Sequence, residues 1–172
     1  LKETMMPTKT ITGTAMLLAV ALVAQSLRIF FPFIPNQVSM FLIGSIVSAS
    51  LVLATWRYGV KNGLIIAWLT PFVAYMQGML PMAPFIPIVA IGSTLYVWMV
   101  KYWQHRSRLG LVLCSSVIRA AALYTGFLLF FQSFQVPQKL MTAILFSMGW
   151  PQLITAILGI VIALLIESRM RS

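Results

Sequence analysis

The chain has 172 residues, of which 60% are hydrophobic and 8% charged, with a formal net charge of +10 and a mean hydropathy of +0.96. A soluble domain carries about 25% charged residues, so this composition excludes a soluble enzyme or a nucleic-acid-binding domain and places the chain in a lipid bilayer. At roughly 20 apolar residues per crossing, the length allows at most six or seven helical spans and leaves none for a soluble catalytic domain.

Hydropathy and breakers predict six spans. Lys2 and Lys9 precede the first, at 11–31, which Pro32 and Pro35 end. Its start resembles a signal peptide, but "LVAQS" offers no clean A-x-A cleavage site and the apolar run continues through "LRIFFPF", so it reads as a retained span. The second span is predicted at 37–56 and the third at 58–77, with Pro71 inside the third as a kink. The turn-rich "GMLPMAP" leads to a fourth span at 84–102. The polar "WQHRSRLG" leads to a fifth at 111–131. After "QSFQVPQK" comes "LMTAILFSM", too short to cross and expected as an interfacial or re-entrant helix; "GWPQ" then opens the sixth span at 151–166. No internal repeat is visible, and 1–172 is expected to form a single membrane domain.

Charge orients the spans. Lys2, Lys9, Arg57, Lys61, Lys101, Arg106, Arg108, Arg169 and Arg171 fall on one side of a six-span arrangement, nine of the twelve basic residues. Arg28 and Lys139 fall on the other, and Arg119 lies within a span. Basic loops stay in the cytoplasm, so both termini are expected there, in an all-α integral membrane bundle of six transmembrane helices. A five- or seven-span arrangement would scramble the asymmetry. The outer loops are instead rich in Pro, Gly, amides and aromatics, groups that can cover a ligand.

No catalytic set is visible. The chain has no Asp, and its Glu3 and Glu167 lie near the termini. The single Cys114 sits in an apolar run and the single His105 in a basic loop, so neither a disulfide framework nor a side-chain metal site is expected. A proton-coupled carrier needs a titratable group in the bilayer, and a guanidinium keeps its charge. The chain is therefore expected to bind a cargo without powering its movement, and to use no cofactor of its own.

Several residues stand out. Arg119 lies roughly 12 Å into the fifth span from its predicted start, in a stretch without a carboxylate. Two readings stand: snorkelling to the interface or bonding to backbone carbonyls, and acting as counter-charge to an anionic ligand or contact to a partner subunit. Arg28 ends the first span, either as an interfacial anchor or as a ligand clamp under "PFIPNQ". Asn36 and Gln37 are placed to cap the second helix or to face a ligand. Tyr75, Gln77, Gln132, Gln135, Trp150 and Gln152 join them on the outer side, where as a set they mark a candidate binding face. In the first span Ala15 and Ala19 stand one turn apart, a spacing that lets another helix approach closely, either internally or from a separate subunit. Gly44 and Ser48 share the spacing and read as internal packing.

The order of these features resembles the S components, or substrate-binding subunits, of energy-coupling factor (ECF) transporters. The likeness rests on Ala15-x-x-x-Ala19, on the stretch "FLIGSIVSASLVLATWRYGVKNGLIIAWLTPFVAYMQGMLPMAPFIPIVAIGSTLYV" with its span, W-R-Y-G turn, span and Pro/Gly loop, and on "GWPQLITAILGIVIALLI". The resemblance implies that Ala15 and Ala19 contact a transmembrane T component and that two ATPase subunits use ATP to power import. It also implies that cargo binds near the outer face of a bacterial plasma membrane and is released inward as the subunit topples. The acid-free outer side favours a neutral or anionic cargo: pantothenate, niacin, folate or a haem-like compound fits, and thiamine fits poorly. A self-sufficient small carrier or channel is the alternative, with a membrane enzyme or assembly factor behind it.

Overall fold

Seven helices, α1 Thr8–Phe30, α2 Asn36–Tyr58, α3 Val60–Met76, α4 Phe85–Trp103, α5 Arg108–Ser133, α6 Gln138–Met148 and α7 Trp150–Arg171, make up the computed structural model of the chain. It describes residues 8–134 and 136–171, the side chains of Asn36 and Arg171 excepted, and among the described residues there is no strand. Lys2, Glu3 and Gln135 lie outside the described residues.

Local chemistry sets the breaks. Pro32 and Pro35 interrupt the chain between α1 and α2. Gly59 alone separates α2 from α3: its φ of 91° is a left-handed conformation that favours glycine, and its N–H donates to the Thr55 carbonyl at 3.2 Å. Gly78, at φ 72°, turns the chain out of α3. Ser107 caps α5 by accepting the Gly110 N–H at 3.3 Å, so the helix starts three residues before the apolar run that announces it. Pro137 precedes α6, an 11-residue helix, and Gly149 separates it from α7.

Among the described residues, five stretches are long and apolar enough to cross a membrane: Thr8–Phe30, Gln37–Tyr58, Phe85–Trp103, Arg108–Ser133 and Gln138–Met170, the last running through α6 and α7. α3 is also apolar but has 17 residues, the lower limit for a crossing.

Packing contacts give the directions. The α2–α3 and α4–α5 pairs are antiparallel, with Gly63 against Thr55, and Gly92 and Gly126 against Leu123 and Ile88. α2 and α7 run parallel and share the most extensive helix contact. A Cβ on Gly159 would lie 2.3 Å from Ser48 Cβ, and one on Gly44 would lie 2.8 Å from Thr155 Cγ2. The expected internal packing of Gly44 and Ser48 is therefore against α7, where small residues bring two backbones together. At the far end of that pair, Arg57 donates from Nε and Nη2 to Glu167 Oε2 at 3.0 and 2.9 Å.

The resulting bundle has two chemically different ends. Lys9, Arg57, Lys61, Lys101, Arg106, Arg108 and Arg169 gather at one, the basic end. At the other, Phe85 packs edge-on against Phe127, Phe130 and Phe131, with ring centroids 4.9, 5.3 and 6.1 Å away. Leu80, Met79, Ile144 and Met148 complete this apolar plug between α4, α5, α6 and the α3–α4 loop.

Candidate functional site

The sequence-derived candidates lie at the end opposite the basic one, in three neighbourhoods. In the first, Arg28 from the last turn of α1 lines a cavity of about 240 Å³ with Leu27, Phe31, Ile34, Ser39, Leu42 and Ile43. The surface of the cavity is almost wholly apolar, and Arg28 and Ser39 are the polar residues along it. Phe31 and Ile34 of its lining belong to the short turn between α1 and α2 in which Pro32 and Pro35 stand. Gln37 is exposed in the first turn of α2; Asn36 begins that helix, and its side chain is outside the described residues.

In the second neighbourhood, Gln77 follows the end of α3 and donates from Nε2 to Ser26 Oγ at 3.0 Å, tying α3 to α1. Gln25, the residue before Ser26, donates from Nε2 to the Thr70 carbonyl of α3 at 3.2 Å. Both amide oxygens are buried, with no donor among the described residues. Tyr75 is exposed beside them on α3.

In the third, Trp150 opens α7 with its ring 5.8 Å from Phe41 and 5.6 Å from Phe146, and it stays half exposed. Gln152 is half-buried with Nε2 3.8 Å from Met148 Sδ. Gln132 is exposed at the end of α5. Between the second and third neighbourhoods stands the phenylalanine plug, so the candidates share one end of the bundle without sharing one cavity.

Ala15 and Ala19 face outward from α1, with Ile11, Met16, Val20 and Val23 exposed around them. Their face is uncovered among the described residues, and α1 is the least buried of the candidate spans.

Arg119 is elsewhere. It lies about 16 Å along α5 from Arg108, near the middle of the bundle, and is 5% exposed. Its Nη1 donates to Ser48 Oγ at 2.5 Å, and its guanidinium carbon sits 4.9 Å from the centroid of the Tyr96 ring. Tyr96 in turn donates its hydroxyl to the Ala156 carbonyl at 2.9 Å. One cation thus joins α5 to α2 and α4, and through Tyr96 to α7. This burial corrects the snorkelling reading: a side chain held by partners on two other helices does not reach the interface. Among the described residues the one carboxylate side chain is that of Glu167, at the basic end and ion-paired to Arg57, so no acid neutralises Arg119. Its Nε, and the hydroxyls of Ser115 and Ser116 one turn before it, are buried without a partner among the described residues.

Sequence reasoning missed Ser48 as a ligand of the cation, and missed Tyr96, Gln25 and Ser39. The signal available for Gln25 was an amide inside an apolar span, which needs a partner wherever it points inward. Ser39, at position i+3 of the second helix, carried none.

A family model described as the ECF transporter, substrate-specific component, matches residues 9–168. No curated protein and no solved structure matches.

Proposed function

We propose, from the premise that the chain belongs to the ECF transporter substrate-specific components, that it captures a small anionic or neutral vitamin-like compound at the end of the bundle that carries Arg28. Membership makes it a multi-pass, substrate-binding membrane subunit of a transporter and not an enzyme, and implies association with a T component and ATPases. The finer reading has six transmembrane spans, both termini in the cytoplasm and the Arg28 end outside, in a bacterial plasma membrane. Two ATPases supply ATP-driven import, and the chain brings no cofactor of its own.

The observation that carries the reading is the Arg28 cavity. An apolar pocket with one arginine among its lining residues suits a compound with a compact apolar body and one carboxylate, because apolar walls supply affinity and one charge fixes orientation. Lys139 is the other cation at this end, and no acid among the described residues opposes either. Gln37, Tyr75, Gln77, Gln132, Trp150 and Gln152 surround the same end and serve as further contacts once the phenylalanine plug shifts. Ala15 and Ala19 offer the face on which the T component docks.

Mass spectrometry of small molecules released from the purified chain tests this directly. A carboxylate-bearing compound is expected, and Arg28→Gln should lower its affinity about tenfold or more, as for a lost charge-assisted bond. Recovery of a cationic compound, or uptake into vesicles by this chain alone without ATP, would overturn it. Orientation is tested separately, by labelling single cysteines at positions 28 and 61 from either side of the membrane.

A further inference from the structure

The basic end carries more than scattered helix anchors. A cleft of about 560 Å³ opens there between the end of α2, the α4–α5 turn and the end of α7. Its rim is polar and cationic, formed by His105, Arg106, Ser107 and Arg108; its inner wall is apolar, formed by Trp56, Leu111 and Leu164. Glu167 also lines it, but that carboxylate is engaged by Arg57 at 2.9 Å.

Each cation is held ready in a different way. Arg106 lies over the Tyr102 ring, 4.2 Å from its centroid, and gives Nη1 to the Tyr102 hydroxyl at 2.8 Å. Its other N–H groups stay available, since a guanidinium has five donors. Arg108, in the first turn of α5, makes no side-chain hydrogen bond or ion pair among the described residues, while the Gly110 and Leu111 N–H groups of that turn are taken by Ser107. The Trp56 indole N–H is buried in the wall and also lacks an acceptor among the described residues. Donors therefore outnumber acceptors in a cleft whose floor is apolar. Beyond the rim, Leu109, Leu113 and Leu165 are exposed on the outer faces of α5 and α7, where acyl chains run.

We propose that this cleft binds the phosphodiester headgroup of an anionic phospholipid, with Arg106 and Arg108 on the phosphate and the acyl chains along α5 and α7. A basic pocket between helices at the cytoplasmic side suits such a headgroup, and an apolar floor beneath a cationic rim matches a molecule that is itself charged at one end only. Calling this end cytoplasmic rests on the orientation proposed above. Lipid selectivity measured in detergent does not, so the two ideas fail separately.

The test is native mass spectrometry of the purified full chain, titrated with phosphatidylglycerol, with phosphatidylcholine of the same acyl chains, or with inorganic phosphate. Phosphatidylglycerol is expected to bind about tenfold more tightly than phosphatidylcholine, and inorganic phosphate is not expected to displace it. Loss of each cation should weaken it about fivefold, so R106Q/R108Q should weaken it about 25-fold. The single variants carry the test should the double variant fail to fold. Lys61→Gln removes an exposed cation at the same end, outside the cleft, and should leave binding unchanged. Equal binding of the two lipids, or equal weakening by Lys61→Gln, would overturn the site. Displacement by inorganic phosphate would reassign the cleft to a free anion. If the lipids bind alike and R106Q/R108Q instead lowers recovery of partner subunits, the cleft is a protein-docking surface and the lipid proposal falls.

Discussion

Removing the hydroxyl of Ser48 isolates the hydrogen bond that Arg119 makes in the middle of the bundle. A hydrogen bond to a charged group is worth about 1.5–3 kcal/mol, and a buried donor left unmatched costs its full desolvation. Ser48→Ala should therefore destabilise the protein by about 2 kcal/mol. Arg119→Met should behave differently. It forfeits the same bond and a desolvated cation–π contact worth about 2 kcal/mol, but it also removes a buried ion whose desolvation costs several kcal/mol. These effects nearly offset each other, so Arg119→Met is expected to change stability by about 1 kcal/mol or less despite deleting a charge that touches three helices directly or through Tyr96. Added to the Arg119→Met variant, Ser48→Ala should then cost about 0.5 kcal/mol, because the remaining Ser48 bond to the Gly44 carbonyl, at 2.7 Å, is an ordinary intrahelical back-bond. Reversible unfolding in mixed micelles gives the four stabilities of this cycle, with an expected coupling of about 1.5 kcal/mol, the difference between the two costs of removing the hydroxyl. If Ser48→Ala costs the same with and without the guanidinium, the two residues are not energetically linked and the buried-centre argument is wrong.

Three further outcomes rest on the packing. Arg119→Gln should keep cargo affinity and lose transport, since the residue is remote from the Arg28 cavity; measuring binding and vesicle uptake side by side checks this, and lost affinity would put Arg119 in the binding path. Gly59→Ala should cost about 1–2 kcal/mol purely from its positive φ, because no atom lies within 4 Å of the added methyl, and a neutral effect on unfolding would refute backbone strain there. Gly159→Val should cost about 3 kcal/mol or more by pushing α7 off Ser48 and the Ala49 backbone, seen as a lower unfolding midpoint, with Leu158→Val on the exposed face as the neutral control.

Much of the architecture was legible because breakers and hydropathy are local. Gly59 between two apolar runs, the prolines after α1 and the short α6 all announce themselves in the sequence. The start of α5 did not, because a serine cap and a polar first turn carry no hydropathy signal. Arg119 shows the harder limit. Its oddity is plain in the sequence, yet the partner that accepts its hydrogen bond is a neutral hydroxyl 71 residues away, read there as a packing residue. No carboxylate among the described residues meets it: a hydroxyl and an aromatic face do, and its Nε stays without a partner among them. The same holds for the end that carries Arg28: which residues share it could be read from span direction, but not that a phenylalanine plug divides them.

The two small-residue pairs make the point about partners most sharply. Ala15 and Ala19 on α1, and Gly44 and Ser48 on α2, have the same spacing and the same capacity to admit a second helix. Only the fold sorts them. The α2 pair is filled from within, by Thr155 and Gly159 of α7, so a bulky residue there should unfold the bundle. The α1 pair is exposed among the described residues, so a bulky residue there is expected to point away from the bundle. Ala19→Trp should therefore leave unfolding and cargo binding intact while abolishing recovery of the T component from co-expressing cells. If it instead lowers stability or affinity, α1 is packed differently from the arrangement described, and the docking face must be sought among the exposed residues of α3 or α7.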